Sequence, residues 1–422
     1  ETFNEPALSG IGTVPVTWQS LALQPDLSFG KIGIGLDVKL HYRFTGGLDI
    51  YGQPTAQDFQ IRTEDWVPTS FSDFFSLYLP KIAYVRYAEK GDPLYVKLGS
   101  IDDSTLGNGF IMGGYSNTLF LPETRLFGLN FDMDGSLFKF PYVGLQTVVG
   151  NLTKFDVLGA SVYGRPLLGL GIPIIKNLQV SGIIAADRNP FLYSDPSISG
   201  YSTSASVAVY GADVMVPILS NPVISLATMG SVAFENSHSG GMLGVAGRLV
   251  KFITYGAQLR FLGNNFIPDY FGPTYDLYRA DQYAVVSSST VLPGSVGWFA
   301  TGGFSLLSDK LIFNVSLDGP FKAAPAVPTS NVADYPHLSA VFQLGQGVIP
   351  GLYFDASYDK RLIASFSDLI SAANAVIGAS VNYKTGPAVI TLTYSLKYNP
   401  VPDANGKYWT VNSGLSSSIS LF

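Results

Sequence analysis

The chain has 422 residues, a formal net charge of −6 and only 13% charged side chains, so it is short of the groups that cover a water-facing surface, where roughly 25% is typical. An acidic balance without a basic tract excludes nucleic acid as a partner, and the absence of cysteine excludes a disulfide framework, a thiolate nucleophile and a cysteine-ligated zinc site. No run of about 18 apolar residues occurs, so no transmembrane helix is expected.

Residues 1–30 hold Pro6, Pro15, Pro25 and the apolar run Leu21-Ala22-Leu23, without a basic segment followed by an apolar one. They are expected to be an N-terminal leader or a plug. From 31 to 44 a period of two takes over: Ile32, Ile34, Leu36, Val38, Leu40, Tyr42 and Phe44 alternate with Lys31, Gly33, Gly35, Asp37, Lys39, His41 and Arg43. Successive strand side chains point to opposite faces, so this is one long strand with an oily side and a polar side. TSFSDFFSLYL (69–79) is helix-like, with Ser before Asp at a possible cap.

The Gly-rich piece LGNGFIMGGYSN (106–117) lacks the Lys and Ser/Thr of a phosphate-binding loop and reads as a loop, either flexible or folded into the mouth of a barrel. Alternation returns in RLFGLNFDMDG, where Phe127, Leu129, Phe131 and Met133 oppose Asn130, Asp132 and Asp134. It continues in FITYGAQLRF (Tyr255, Leu259 and Phe261 against Gln258 and Arg260) and in LIFNVSLDG (Phe313, Val315 and Leu317 against Asn314, Ser316 and Asp318). LYFDASYD sets Phe354 and Tyr358 against Asp355 and Asp359, and AVITLTYSLKY sets Ile390, Leu392, Tyr394, Leu396 and Tyr398 against Thr391, Thr393, Ser395 and Lys397. Between these lie NNFIPDYFGPTYDLYRADQY (264–283), an aromatic loop suited to a partner surface, and SFSDLISAANAVIG (365–378), a second helix-like piece.

About eighteen strands follow from residue 31, with mostly long connections after the odd ones, the fifth and ninth excepted, and mostly short turns after the even ones. A soluble β-sandwich accounts for alternation, but not for strands of ten to fourteen residues where roughly 5 to 6 is the rule. A membrane strand needs roughly 9 to 11 residues. Backbone groups in a bilayer must pair within the protein, which demands a closed sheet and, with both chain ends on one side, an even strand number.

On these segments and the terminal Leu421-Phe422, the chain resembles the porin-like outer-membrane β-barrels of double-membraned bacteria over roughly residues 31–422. The fold implied is all-β, a single antiparallel transmembrane barrel of about 16–18 strands with long extracellular loops and short periplasmic turns. Its location would be the bacterial outer membrane, with lipid around it, small solutes within, and further copies or envelope proteins as partners. Trp409, Val411, Leu415, Ile419 and Leu421 share one face of the last strand while Phe422 falls on the other, so the usual terminal aromatic signature is half matched.

Lumen candidates are Lys31, Asp37, Lys39, His41, Arg43, Asp132, Asp134, Arg260, Asp318, Asp355 and Lys397, whose opposed charges would set ion preference. Tyr42, Phe44, Tyr142, Trp298, Tyr358, Tyr398 and Trp409 are candidates for interfacial girdles. The three histidines, His41, His238 and His337, have no recognisable nucleophile context, and neither an enzyme, a metal nor a cofactor is expected. The Asp102-Asp103 pair suits calcium no better than it suits a solvated loop. Function then reads as passive diffusion of small hydrophilic solutes or ions. The alternatives are a plugged barrel carrying hydrophobic substrates and a scaffold barrel of an envelope assembly. Long-chain fatty acid transporters carry an Asn-Pro-Ala motif that stands interrupted here as Asn4-Glu5-Pro6-Ala7, so none of their sites is assigned.

Overall fold

The computed structural model describes residues 2–6, 13–23, 25–45, 58–121, 124–172, 174–194, 196, 201–221, 223–250, 252–288, 292–307, 310–323, 325, 334–371, 373–386, 388–398 and 406–419. Strands β1 (Thr2–Pro6) and β2 (Thr13–Thr17) form a hairpin of their own. The main sheet opens with β3 (Gln19–Leu23), β4 (Asp26–Phe29), β5 (Ile32–Leu36), β6 (Val38–Thr45) and β7 (Asp58–Ile61). Helix α1 (Phe71–Tyr78) intervenes before β8 (Ile82–Tyr87) and β9 (Leu94–Gly99). A second separate hairpin, β10 (Ser104–Leu106) with β11 (Met112–Tyr115), precedes β12 (Gly128–Asp134), β13 (Val143–Val149), β14 (Val157–Gly164), β15 (Gln179–Asp187) and β16 (Val207–Ser220). Next come β17 (Ile224–Glu235), β18 (His238–Leu249), β19 (Ile253–Leu262), helix α2 (Tyr275–Ser287), β20 (Ser295–Leu306) and β21 (Leu311–Pro320). The chain ends through β22 (His337–Ile349), β23 (Leu352–Lys360), β24 (Ala375–Thr385), β25 (Ala388–Tyr398) and β26 (Trp409–Ile419).

From β12 to β26 each strand pairs antiparallel with the next, and β9 joins this run to the N-terminal strands. Three strand pairs are single crossings of the wall. Leu23 opposite Val38 and Leu27 opposite Ile34 keep one register, so β3–β4 and β5–β6 are the two arms of one hairpin around Gly30-Lys31. Likewise β7 and β8 both border the β5–β6 arm, with α1 inserted between them. Counted this way the wall is crossed nineteen times among the described residues, one more than the sequence count. The added crossing is Gln19–Phe29, inside the segment expected as leader or plug. An odd number makes the first and last crossings parallel, and they meet at one bridge, Ser418 opposite Ala22.

Rims differ as the loop lengths predict. One carries tight turns such as Gly30-Lys31, while the other carries the segments between β9 and β12 and between β19 and β20. Two connections that broke the long-short alternation in the sequence are short on the long-loop rim: the β13–β14 link and the Glu235–His238 turn. TSFSDFFSLYL forms α1, where the Ser70 hydroxyl accepts from the Asp73 N–H, a side-chain N-cap. SFSDLI forms a short 3₁₀ turn at Phe366–Ile370 with a Ser365/Asp368 capping box.

Outward side chains are apolar and exposed: Val180 and Ile184 on β15, Tyr210 and Val214 on β16, Leu259 and Phe261 on β19, Leu392 and Tyr394 on β25. Their neighbours in sequence point inward. Burial lies in the lumen, not between two sheets, in a cluster joining wall residues Val148, Val157, Ile183, Ala185, Val207, Val209, Ala233 and Met242 to loop residues Leu106, Phe110, Ile111, Met112, Tyr115, Phe266, Tyr270, Phe271 and Tyr275. Apolar outside and self-filled inside is the pattern of a membrane barrel with a plug.

Candidate functional site

Two mid-chain segments fill one side of the lumen. The first is the β10–β11 hairpin, whose tip holds the Gly-rich stretch. Asn108 donates its backbone N–H to Asp213 Oδ2 at 2.6 Å, and its side-chain amide to the Val214 and Gly230 carbonyls at 3.2 Å each. Asp213 lies six residues along β16 from its first residue, about 20 Å along the tilted strand, so the hairpin reaches well into the barrel. Gly107 makes that approach possible. Its φ of +56 is left-handed, and a Cβ there would collide with Asp213 Oδ2.

The second segment, residues 263–288, packs on the first. Asp269 and Phe271 donate backbone N–H groups to the Phe110 and Ile111 carbonyls at 2.9 and 3.1 Å, and the Gly113 N–H donates to Asp269 Oδ1 at 2.7 Å. Burial pushes the Asp269 carboxyl well above its ordinary value, against the pull of Arg260 and the Gly113 N–H. The aromatic residues Phe266, Tyr270, Phe271 and Tyr275 that suited an exposed partner surface are instead buried against the wall. Sequence reading missed α2 because its start is aromatic and Pro-flanked, with no capping side chain at Thr274.

Helix α2 carries the strongest polar contacts of the plug. Arg279, 3% exposed, donates to Asp187 through Nε and Nη2 at 2.8 Å each and to Asp156 Oδ2 through Nη1 at 2.7 Å. Tyr275 donates its hydroxyl to Asp187 Oδ2 at 2.7 Å, and Asp276 lies 3.8 Å from Arg279 within reach of the Tyr115 hydroxyl. Burial works against the Arg279 charge, yet the Asp187 hydrogen bonds and the Asp187 and Asp156 carboxylates outweigh it and hold its pKa above the ordinary value. Burial lifts Asp276 to about 7, with Arg279 opposing.

The preceding residue faces the other way. Arg361 and Lys397 lie over the Tyr278 ring, at 4.9 and 5.2 Å from its centroid. In the ring of strands β15, which carries Asp187, and β25, which carries Lys397, stand ten neighbours apart, essentially on opposite walls. Consecutive residues of a kinked helix, with Tyr278 itself non-helical at φ −125, thus hold both sides of the mouth.

The predicted lumen residues are spread through this frame. Asp37 pairs with Arg125 at 2.5 Å, and buried His41 contacts Asp65 through Nδ1 at 2.6 Å. Arg43 lies over the Trp18 ring and donates to Gln60, while Lys39 stands opposite Ala22 in the β3–β6 ladder. Lys31 is exposed in the first tight turn. Asp134 accepts from Tyr163 and Arg165 at 2.8 Å each, and Asp132 sits two residues up β12 opposite Tyr95 and Gln146. Arg260, over the Phe299 ring, is 3.6 Å from Asp318, which with Asp359 brackets His337 at 3.2 and 2.8 Å. Asp355 is exposed toward the open part of the lumen. His238 contacts the Val286 carbonyl at 3.1 Å, so each of the three histidines has a structural partner. Asp102 pairs with Lys97, and no group of three metal-ligating side chains occurs among the described residues.

Of the predicted girdle, Tyr42 and Phe44 form an aromatic cluster with Phe59 at the long-loop rim, as Tyr398 and Trp409 do with Tyr408. Trp298 pairs with Leu259 on the outer face, and the Tyr358 hydroxyl anchors the Leu369 and Ser371 carbonyls. Tyr142 packs on Phe140 at the opposite rim. Helix α1 lies on the lumen side, because Asp65 at its approach meets inward His41 and Lys81 at its exit, level with inward Asp37, donates to the Leu77 carbonyl. It leaves Phe71, Phe74 and Phe75 exposed, the first at 82%.

No family model matches the chain, and no curated protein matches it in sequence. Among solved structures it is similar to the ferric enterobactin receptor PfeA of Pseudomonas aeruginosa, with TM-score 0.34 and 11% identity over 99% of this chain and 72% of that one. It is similar also to the FrpB iron transporter from Neisseria meningitidis (0.30, 11%, 93% and 70%) and to CdiB from Acinetobacter baumannii (0.30, 10%, 99% and 65%). The chain spans about three-fifths of two further PfeA structures, 62% and 60%. At TM-scores near a third the paths of these chains do not superimpose. By its own geometry the chain is a large antiparallel β-barrel of the outer-membrane type, integral to the bilayer through its apolar outer face and filled on one side by its own loops.

Proposed function

We propose that this protein is a transporter of the bacterial outer membrane whose barrel is plugged at rest by the segments 100–121 and 263–288, in place of a permanently open diffusion channel. The observation that carries this reading is the pair Tyr278 and Arg279, adjacent in sequence and bound to opposite walls. A guanidinium buried among carboxylates is expensive to expose or to leave half-paired, so this contact favours a plug that stays in place until something displaces it. The exposed aromatic face of α1, on the lumen side, favours a substrate with apolar parts. The β1–β2 hairpin, a sheet of its own, then acts as a leader instead of the stopper.

Single-channel recording in planar bilayers tests this. Intact protein should be nearly silent. Replacing the Ser104–Tyr115 hairpin with a short Gly-Ser linker should raise conductance by about tenfold or more, as expected for unblocking a lumen of this strand number. Removing residues 1–17 should leave it within about twofold. Large steady steps from the intact chain would overturn the plugged reading and restore passive diffusion of small hydrophilic solutes, with exposed Asp355 as a candidate pore group.

A further inference from the structure

Antiparallel pairing on both edges of every strand requires an even number of crossings, and this wall has nineteen among the described residues. The β3–β4 crossing and β26 therefore run the same way, from the long-loop rim to the short-turn rim, and share a single parallel bridge. On its inner edge β26 pairs with β25 over eleven residues, from Trp409 opposite Tyr398 to Ile419 opposite Ala388. On its outer edge residues 411–417 have no ladder partner among the described residues. Such an edge is a template for another strand in water, and inside a bilayer it has no solvent to satisfy it.

We propose that this seam is a strand-acceptor site, which takes an extended segment of another polypeptide between β26 and the β3–β4 crossing. The direction of both edges sets what fits. The incoming strand must run from the short-turn rim to the long-loop rim, antiparallel to both neighbours, and bring the total to twenty. About ten residues with every second one apolar match the edge, because Val411 and Leu415 on β26 are exposed on one strand face with Ser413 between them. A second copy of the chain does not fit. Inserted in the same orientation it offers the same two edges in the same direction, and only parallel pairing results. The β1 strand has a suitable direction but five residues, already paired with β2.

The natural probe is a synthetic peptide of residues 388–398, AVITLTYSLKY, since β25 already pairs antiparallel with β26 and sets Tyr394 opposite Ser413. The chain has no cysteine, so Ser413→Cys gives a unique thiol. Full-length S413C in liposomes, checked for folding by heat-modifiable gel migration, is mixed with the peptide carrying Cys at the Tyr394 position. Disulfide yield should exceed that of a scrambled peptide by about tenfold, because alternation and register guide strand addition. It should also exceed that of the same peptide with A379C, whose strand β24 is flanked on both sides. Equal yields in either comparison overturn the proposal. Capture only after residues 1–17 are removed also overturns it, since the chain's own N-terminal hairpin would then cover the seam.

Discussion

The wall around β15–β17 and the wall around β23–β25 obey one rule outside and two rules inside. Both present apolar side chains outward, Ile184 and Tyr210 on the first and Leu392 and Tyr394 on the second. Inward, the first buries Ile183, Ala185, Val207, Val209 and Ala233 under the plug, whereas the second keeps Asp355 and Ser357 exposed and Thr391 and Thr393 half-exposed. An inward face that is apolar in a barrel signals that something covers it. The polar inward face marks the side on which water and solutes have room.

The contrast breaks most severely at Arg279. Arg279→Met leaves Asp156 and Asp187 buried with no internal cation, a loss of about 3–5 kcal/mol for one partner of a buried ion pair. A lowered Tm in detergent and a rise in single-channel openings are the expected results, while Lys397→Met, which takes one of two cations from the Tyr278 ring, should have a smaller effect on both. Next comes Gly107→Ala. Its left-handed backbone and the clash of a new Cβ with Asp213 should lift the hairpin tip, at about 1–3 kcal/mol, and give brief openings without loss of the folded barrel.

Acidity should sharpen the comparison. Asp276 titrates at about 7 in the fold, above its unfolded value, so its neutral form is the one the plug prefers. The stability it contributes is complete below about pH 4, the unfolded pKa, and is lost as pH rises through about 7. Openings should therefore be rarer at pH 5 than at pH 8, and Asp276→Asn should flatten that dependence. A profile unchanged by the substitution would remove Asp276 from the account. The smallest effect is expected on the open wall: Asp355→Asn should move the reversal potential in a salt gradient slightly toward anions, and only once the hairpin has been shortened.

Much of this was legible in the sequence, for a physical reason. A two-sided strand shows its period in a single stretch, so 31–44 and 388–398 announced themselves, and the Gly-rich 106–117 could be expected at the mouth. The plug was harder to see because its contacts are long-range: Asn108 meets Asp213 and Arg279 meets Asp156, and no local pattern links residues a hundred positions apart. The Gln19–Phe29 crossing was hidden by Pro25 and by a short alternation, yet its register with 32–42 is continuous. Alternation grouped the charges on one face of each strand, but sequence could not show that Asp37 and Asp134 have arginine partners whereas Asp355 is exposed.

The adjacency of Tyr278 and Arg279 makes α2 a tie-rod. A displacement of either wall is delivered to the other through a single peptide link, with no length of helix between to absorb it. The cross-section of the barrel and the seating of its stopper are then one mechanical variable: whatever squeezes or spreads the rim, from lipid pressure to a docked neighbour, pulls on the same guanidinium.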